Sequence, residues 1–252
     1  MILLTNDDGI DAAGIWAVYK ELKKMDSVTV VAPDSEMSAI GHAITMSDPL
    51  RVKKHFKNGK FFGYAVNGTP ADCVKIAVAS LLKRKPALTV SGINFGSNFG
   101  TNIIYSGTVS AATESLILGI PAIASSLASY EEYDFSVAAK FTAKLAKETL
   151  EKGLPERVLL NVNVPALPAK RIKGVRVTRQ GFAAFDDYYK KNVDPRGKTY
   201  YWLCAEKLRG CSEKGTDGEA VVNGYISVTP VHYDMTYKEY MGDLKKWRNC
   251  RW

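Results

Sequence analysis

The sequence predicts a doubly wound, Rossmann-like α/β fold with a mainly parallel sheet, a β-hairpin extension and a C-terminal oligomerisation arm. Short apolar runs alternate with amphipathic segments of helical period, and polar, glycine-rich loops follow the apolar runs. Beyond Pro165 basic and aromatic hairpin-like pieces replace this alternation. We therefore expect an α/β core at 1–165 and an extension at 166–252 that packs on the core or on a neighbouring subunit.

The first 33 residues predict a βαβ unit. Residues 1–4 form an apolar strand, 11–25 have apolar side chains at helical spacing, and 27–32 form a β-branched strand that Pro33 ends. Two strands joined through a helix in this way are expected to be parallel.

The following segments complete the predicted sheet. Residues 50–66 alternate around Asn58-Gly59, a strong signal for a β-hairpin. Further helices are predicted at 71–82, 109–118 and 135–152, and further strands at 87–90, 121–126 and 158–164. In the extension we expect strand-like pieces at 171–179 and 200–206 and a helix at 236–247.

The composition narrows the class of protein. Hydrophobic residues make up 46% and charged residues 24%, as in ordinary globular proteins. No apolar run approaches the ~18 residues of a membrane span, and the start does not resemble a signal peptide, so we expect a cytoplasmic protein without a membrane partner. The net charge of +8 comes from scattered basic pairs, a pattern that favours anionic small substrates or merely serves solubility. It is weak evidence for nucleic-acid binding, so nucleic acid is an unlikely partner.

Cysteine spacing argues against two kinds of site. The four cysteines show no C-x-x-C pattern and have no histidine nearby; they are Cys73, Cys204, Cys211 and Cys250. A zinc site and a disulfide framework are both disfavoured, and free thiols are expected.

Two adjacent acids follow the first strand. Asp7 and Asp8 lie in the polar cluster 5–9. Adjacent carboxylates in a site of low dielectric repel each other unless a cation lies between them, and a hard divalent metal ion suits them. The alternative is a surface turn, because Asn, Asp and Gly are common turn residues.

The loop after the second strand, 33–45, supplies further polar groups. Its candidates are Ser35, Ser38 and His42. A serine hydroxyl can complete an oxygen shell around a hard cation, although Ser in such loops is often a turn or cap residue.

A glycine- and asparagine-rich loop, 91–108, follows the strand at 87–90. Glycines recur at 92, 96 and 100 and asparagines at 94, 98 and 102, a pattern that matches neither a dinucleotide fingerprint nor a Walker A loop. Ser106-Gly107-Thr108 opens a predicted helix, where N–H groups and hydroxyls form a phosphate cradle or simply a capped connector. All three loops follow carboxyl ends of parallel strands and should share one sheet edge.

Four motifs in order point to a known family. They are L-L-T-N-D-D-G-I, A-P-D-x-x-x-S, S-G-I-N-F-G-S-N-F-G followed by Y-S-G-T-V-S-A-A-T-E, and G-T-D-G-E-A-V-V-N-G-Y-I-S-V-T-P at 215–230. This combination resembles the SurE survival-protein family of metal-dependent nucleotidases, over almost the entire chain.

The resemblance implies an activity and a site. It implies hydrolysis of nucleoside 5'- and 3'-monophosphates with one divalent ion, Mg²⁺ or Mn²⁺, per subunit, in homodimers or homotetramers that exchange C-terminal elements. The implied metal ligands are Asp7, Asp8, Ser38 and Asn94. Asp7, Asp8 and Asn94 are also the implied catalytic residues, and phosphate would be bound by Asn98, Ser106, Gly107 and Thr108.

The second loop departs from the family pattern. Ser35-Glu36-Met37 replaces the more usual Arg-Asn-Gln, and Ala39 replaces Gly. This departure affects substrate preference more than metal binding. His42 is a candidate general acid, with a structural role as the alternative. Phe95, Phe99 and Tyr105 are candidates for stacking on a base or for anchoring the loop.

Two other functions compete with this interpretation. A haloacid-dehalogenase-type phosphatase also has its motif after a first strand, but its nucleophile would fall on Asn6, and an amide cannot form an aspartyl-phosphate. A nucleotide-sensing or nucleic-acid-binding module would retain the cradle without turnover. The two acids favour catalysis, because a phosphate binder gains nothing from extra negative charge.

Overall fold

The computed structural model describes residues 1–129, 131 and 134–247, and only the backbone of 185 and 205–208. One sheet contains β1 Ile2–Thr5, β2 Val28–Pro33, β3 Val52–Lys57, β4 Lys60–Val66, β5 Leu88–Phe95, β6 Ala122–Ala128, β7 Leu159–Pro165, β8 Val175–Val177 and β11 Ile226–Val231. The strands β9 Ala184–Val193 and β10 Thr199–Arg209 form a separate antiparallel pair.

Helices cover both faces of the nine-stranded sheet. The helices of the described chain are α1 Ala13–Leu22, α2 Pro70–Ile76 with a π-helical continuation Ala77–Leu81, α3 Asn102–Tyr105, α4 Gly107–Ile117, α5 Ser136–Lys152, α6 Asp217–Val222 and α7 Met241–Leu244. The short α7 has no buried residue and is not part of this cover. Successive strand residues point to opposite faces, and β1 accordingly buries Ile2 and Leu4 against α1 and α5, and Leu3 against α2 and α4. Burial on both faces explains why β1 is a continuous apolar run.

The strand order places the polar loops after β1 and β5 at the topological switch point of the sheet, where the order of the strands reverses. The order is β3-β4-β2-β1-β5-β6-β7-β11-β8, and the strands from β4 to β7 are mutually parallel. The chain leaves β1 for β2 on one side and later returns to β5 on the other side, so a crevice opens between the carboxyl ends of β1 and β5. The predicted α/β class with a mainly parallel sheet is confirmed.

Two elements near the site differ from their predicted form. The hairpin β3–β4 forms as predicted, but it does not leave the sheet as an extension: β4 pairs with β2, so the hairpin forms the edge of the main sheet. Strand β5 continues to Phe95 instead of ending at 90, through an irregular register against β6. Gly92 makes this possible: its φ is +127°, and a Cβ atom there would lie 2.2 Å from the Ser125 carbonyl oxygen.

The C-terminal part contributes to the same sheet. Strand β11 pairs antiparallel with β7 and parallel with β8. The helix α6 was not predicted, and the predicted helix at 236–247 is only a 3₁₀ turn, Lys238–Tyr240, and the short α7. The division into 1–165 and 166–252 stays a prediction, as does the C-terminal arm.

The structure bears on two expectations from composition. Cys73, Cys204 and Cys211 are free thiols, and Cys250 lies outside the described residues. No helix in the described part of the chain has the length and apolar character needed to cross a membrane. The cytoplasmic location stays a prediction.

Candidate active site

Asp7 is held by the N-terminus of α4. Its side chain is buried, one carboxylate oxygen accepts the Thr108 hydroxyl, and the other accepts the Thr108 backbone N–H at 3.0 Å. The start of α4 therefore favours negative charge on Asp7 through hydrogen bonds and through the helix dipole. Burial nevertheless raises the pKa of Asp7, and the bonds from Thr108 offset this only in part.

Gly107 allows this close approach. A Cβ atom at Gly107 would lie 2.8 Å from the Asp7 Cβ and 2.9 Å from its Oδ2. Ser106 caps the helix, because its hydroxyl accepts the Val109 N–H at 3.1 Å. The predicted phosphate cradle thus holds an aspartate of the chain itself, a contact that residue spacing alone did not indicate.

Asp8 faces the crevice between β1 and β5. Its Oδ2 accepts the Phe95 backbone N–H at 3.0 Å, a bond that exists because β5 continues to Phe95. Burial and the adjacent Asp7 charge raise the pKa of Asp8 to about 7. No lysine, arginine or histidine among the described residues forms an ion pair with either acid.

The loop after β2 is tied to the acid pair. The Met37 N–H donates to the Asp7 carbonyl at 2.8 Å, which brings this loop over the end of β1. The exposed Ser38 hydroxyl donates to Glu36 Oε1 at 2.7 Å. Glu36 is close enough for its charge to raise the pKa of both Asp7 and Asp8. Glu36 is therefore a third carboxylate of this site, and in the sequence it stands out only as a departure from the family pattern.

Ala39 occupies a backbone conformation that favours glycine. Its φ is +55°, in the left-handed region. A side chain there costs roughly 1 kcal/mol. The glycine that is usual in the family pattern would adopt this φ without strain. The alanine in this chain retains the strain in the loop.

The two asparagines of the Gly/Asn loop have different surroundings. Asn94 donates its amide N–H to the Gly96 carbonyl at 2.8 Å, which leaves its carbonyl oxygen without a donor among the described residues. Asn98 is buried against β6 and β7: its amide donates to the Ser126 hydroxyl at 2.8 Å, and its backbone bonds to Asn161 and Asn163. Asn98 therefore anchors the loop to the sheet.

A buried acid from the C-terminal part supports the same loop. Asp217 accepts backbone N–H bonds from Gly100 at 2.9 Å and from Gly181 at 3.0 Å. The predicted motif at 215–230 is thus connected to the Gly/Asn loop through a charge-assisted hydrogen bond. Nothing in the sequence pattern indicated this contact.

His42 lies in a separate ion-pair cluster. Its Nε2 is 2.9 Å from Glu114 Oε2, and Lys75 Nζ is 3.0 Å from Glu114 Oε1. The His42 hydrogen bond, followed by Lys75, keeps the pKa of the buried Glu114 below its ordinary value. Glu114 is six residues beyond Thr108 on α4, roughly 9 Å at 1.5 Å per residue. This cluster anchors the loop containing His42 to α2 and α4.

A cavity of about 720 Å³ opens beside Asp8. Its walls include Glu36, Phe95, Asp134 and Phe135. Its volume falls within the range of small-molecule sites. The described residues contain no group of three or more His, Cys, Asp and Glu side chains placed to hold a metal ion, so a cation here needs amide and hydroxyl oxygens as well.

The fold and the site define a class. This is a doubly wound α/β protein with a cavity, a buried Asp7 and a half-buried Asp8 at the switch point between β1 and β5. The family model of survival protein SurE matches residues 2–187. The chain belongs to the SurE family, as its motifs predicted.

Individual relatives agree over nearly the whole chain. The 5'-nucleotidase SurE of Syntrophobacter fumaroxidans is 53% identical over 246 residues, covering 98% of both chains. That of Syntrophus aciditrophicus is 50% identical and covers 96% of this chain and 92% of its own. The crystal structure of the SurE protein from Aquifex aeolicus superposes with a TM-score of 0.84 at 45% identity, over 97% of this chain and 98% of that one.

Proposed function

We propose that this protein is a metal-dependent phosphomonoesterase that hydrolyses nucleoside 5'- and 3'-monophosphates. The observation that carries the proposal is the pair Asp7, which is buried, and Asp8, which is half-buried at the cavity, with no ion pair to a cationic side chain among the described residues. A divalent cation would remove their repulsion. Relatives about half identical in sequence carry the name 5'-nucleotidase, which supports the 5' activity.

The donor groups fit one hard cation. Asp7, Asp8, Ser38 and Asn94 would hold it through two carboxylates, a hydroxyl and an amide carbonyl, which are the oxygen ligands that Mg²⁺ and Mn²⁺ accept. Two observations on the described residues support this assignment: none of them donates a hydrogen bond to the Asn94 carbonyl oxygen, and the Phe95 N–H is the one donor that they offer to the Asp8 side chain. A bound ion would neutralise charge on the phosphate and lower the pKa of a water molecule.

The chain's own groups would fix the geometry. Thr108 holds Asp7 in one orientation, and the Phe95 N–H holds Asp8. The Gly107 N–H, in the first turn of α4, has no acceptor among the described residues and is a suitable donor to a phosphate oxygen. Phosphate contacts from Asn98, Ser106 and Thr108 remain part of the proposal.

Two features separate this site from a covalent phosphatase. Asn6 is fully buried and donates its amide N–H to the Gly9 carbonyl at 2.8 Å. An amide in that place cannot become an aspartyl-phosphate, so water is the expected nucleophile. A role for His42 as general acid stays a hypothesis, because its ring is engaged by Glu114.

A substrate assay tests this function. Metal-stripped protein is expected to release phosphate from 5'-AMP and 3'-AMP only after Mg²⁺ or Mn²⁺ is added. Phosphate release is measured colorimetrically, with EDTA as the control. Binding of AMP without turnover under any metal condition would instead support the sensing module.

We also propose a homodimer or homotetramer formed through residues 166–252. The hairpin β9–β10 lies outside the main sheet and exposes large side chains, among them Tyr189, Tyr201 and Trp202. Such a surface is typical of an interface between subunits. Light scattering at micromolar concentration should give two or four times the chain mass of 27.7 kDa. A monomeric mass would refute the proposal.

A further inference from the structure

The cavity beside Asp8 has two aromatic walls. Phe95 and Phe135 both line it, with ring centroids 6.4 Å apart and ring planes at 57°. Tilted rings at this distance form a corner instead of a parallel slot. A flat ligand would lie against the face of one ring and meet the edge of the other, which are both favourable aromatic contacts.

The two rings differ in how firmly they are held. Phe135 packs against the core, and its Cε1 would lie 3.1 Å from a Cβ at Gly14 of α1. Phe95 is 42% exposed, and its backbone is fixed by the bond to Asp8. One ring is thus a rigid wall, and the other is an available surface one residue from Asn94.

The other candidates for stacking have different positions. Phe99 is only 2% exposed and packs with Ala183 and Val221, so its ring serves as an anchor of the loop. Tyr105 is exposed, but it does not line the cavity, and its carbonyl accepts the Gly41 N–H at 2.9 Å. Phe135, which the sequence did not single out, is therefore the second stacking candidate in place of Phe99 and Tyr105.

The charges that line the cavity favour an uncharged nucleobase over a further phosphate group as its occupant. Every charged side chain that lines the cavity in the described part of the protein is a carboxylate, namely Asp8, Glu36 and Asp134. A polyphosphate extending from a phosphoryl group near Asp8 would meet Glu36 and Asp134, and no lysine or arginine among the described residues lines the cavity. Lys20 and Lys140 lie near Asp134 but outside this lining. An uncharged base avoids this repulsion.

We propose that the corner formed by Phe95 and Phe135 is the nucleobase subsite, so that the site selects nucleoside monophosphates over monoesters without a base and over inorganic polyphosphate. This inference rests on the proposed function. It makes Phe95 and Phe135 specificity-determining residues.

The test compares three substrates: AMP, ribose 5-phosphate, which lacks the base, and tripolyphosphate. Phe95→Ala should lower kcat/KM for AMP about tenfold, the scale of losing one base–aromatic stack, mainly through KM. The same variant should lower kcat/KM for ribose 5-phosphate much less than for AMP, because the substitution keeps the backbone N–H that holds Asp8. Phe95→Tyr should restore AMP turnover. Phe135→Leu, which keeps a bulky side chain against the core, should act in the same direction. Phe56→Ala, at an exposed phenylalanine of β3, is the matched control.

Adenosine binding, measured by calorimetry, gives a result independent of turnover. It should weaken in Phe95→Ala and persist in Phe95→Tyr. Equal losses of Phe95→Ala on AMP and ribose 5-phosphate, or equal wild-type kcat/KM for AMP and tripolyphosphate, would overturn the inference. Absence of hydrolysis of all three substrates would contradict the proposed function alone. The adenosine affinities of wild type and Phe95→Ala would still show whether the Phe95–Phe135 corner binds the base.

Discussion

Replacing Asp8 by Asn is expected to reduce phosphate release from AMP by about a thousandfold or more while the protein stays folded. The substitution removes one of the two carboxylates proposed to hold the cation and is nearly isosteric, and the loss of a group that stabilises transition-state charge has this scale. The Asn carbonyl can still accept the Phe95 N–H. Steady-state kinetics with Mn²⁺ measures the effect, and Asp48→Asn, at an exposed loop position, is the matched control.

The same variant should change stability in the opposite direction. The pKa of Asp8 is about 7 in the folded protein against an ordinary value of 3.8, so the folded state binds more protons between these values and loses stability as pH rises through them. Without metal, Asp8→Asn should therefore have a higher Tm than wild type at pH 8, with a difference that narrows toward pH 5. Undiminished turnover by Asp8→Asn would refute the proposed role of Asp8 in catalysis.

Replacing Gly107 by Ala is expected to lower activity about a hundredfold and also to lower Tm. A Cβ there would lie 2.8 Å from the Asp7 Cβ and 3.2 Å from the Pro70 ring, so Asp7 or α4 must shift. A displacement of about 1 Å near the reacting groups has a cost of this size. Kinetics and thermal unfolding measure the two effects.

The sign of the stability change separates the clash from helix propensity. Alanine in a helix is favoured over glycine by about 1 kcal/mol, so propensity alone predicts a more stable variant. Gly242→Ala in α7, where a Cβ meets nothing within 4 Å, is the control that shows propensity without a clash. A Gly107→Ala protein with wild-type activity and a raised Tm would show that the contact with Asp7 is not tight.

Local patterns were sufficient to predict the core fold. The apolar period of β1, the hairpin signal at Asn58-Gly59 and the amphipathic spacing of α1 and α5 all depend on residues close in sequence. Their order then indicated a parallel sheet and the edge at which the loops meet. Strand β11 was missed because its pairing with β7 and β8 joins segments far apart in the chain.

The candidate site was predictable in its residue types and not in its contacts. Asp7 and Asp8 stood out because adjacent acids after a buried strand are unusual, but no spacing rule indicates that Thr108, 101 residues away, holds Asp7. Asp217 and Phe135 are likewise brought to the site by the tertiary fold. Glu36 was visible as a departure from the family pattern, and its charge near the acids required the course of the loop.

Calorimetric titration of Mn²⁺ into metal-stripped protein measures whether the acid pair at the end of β1 holds one divalent cation. Wild-type protein is expected to bind one ion per chain in a strong site, with a corresponding rise in Tm, because binding to the folded state stabilises it. Asp8→Asn should lack both the strong site and the rise in Tm. Equal Mn²⁺ affinity in wild type and Asp8→Asn would show that Asp8 is not a ligand of the cation.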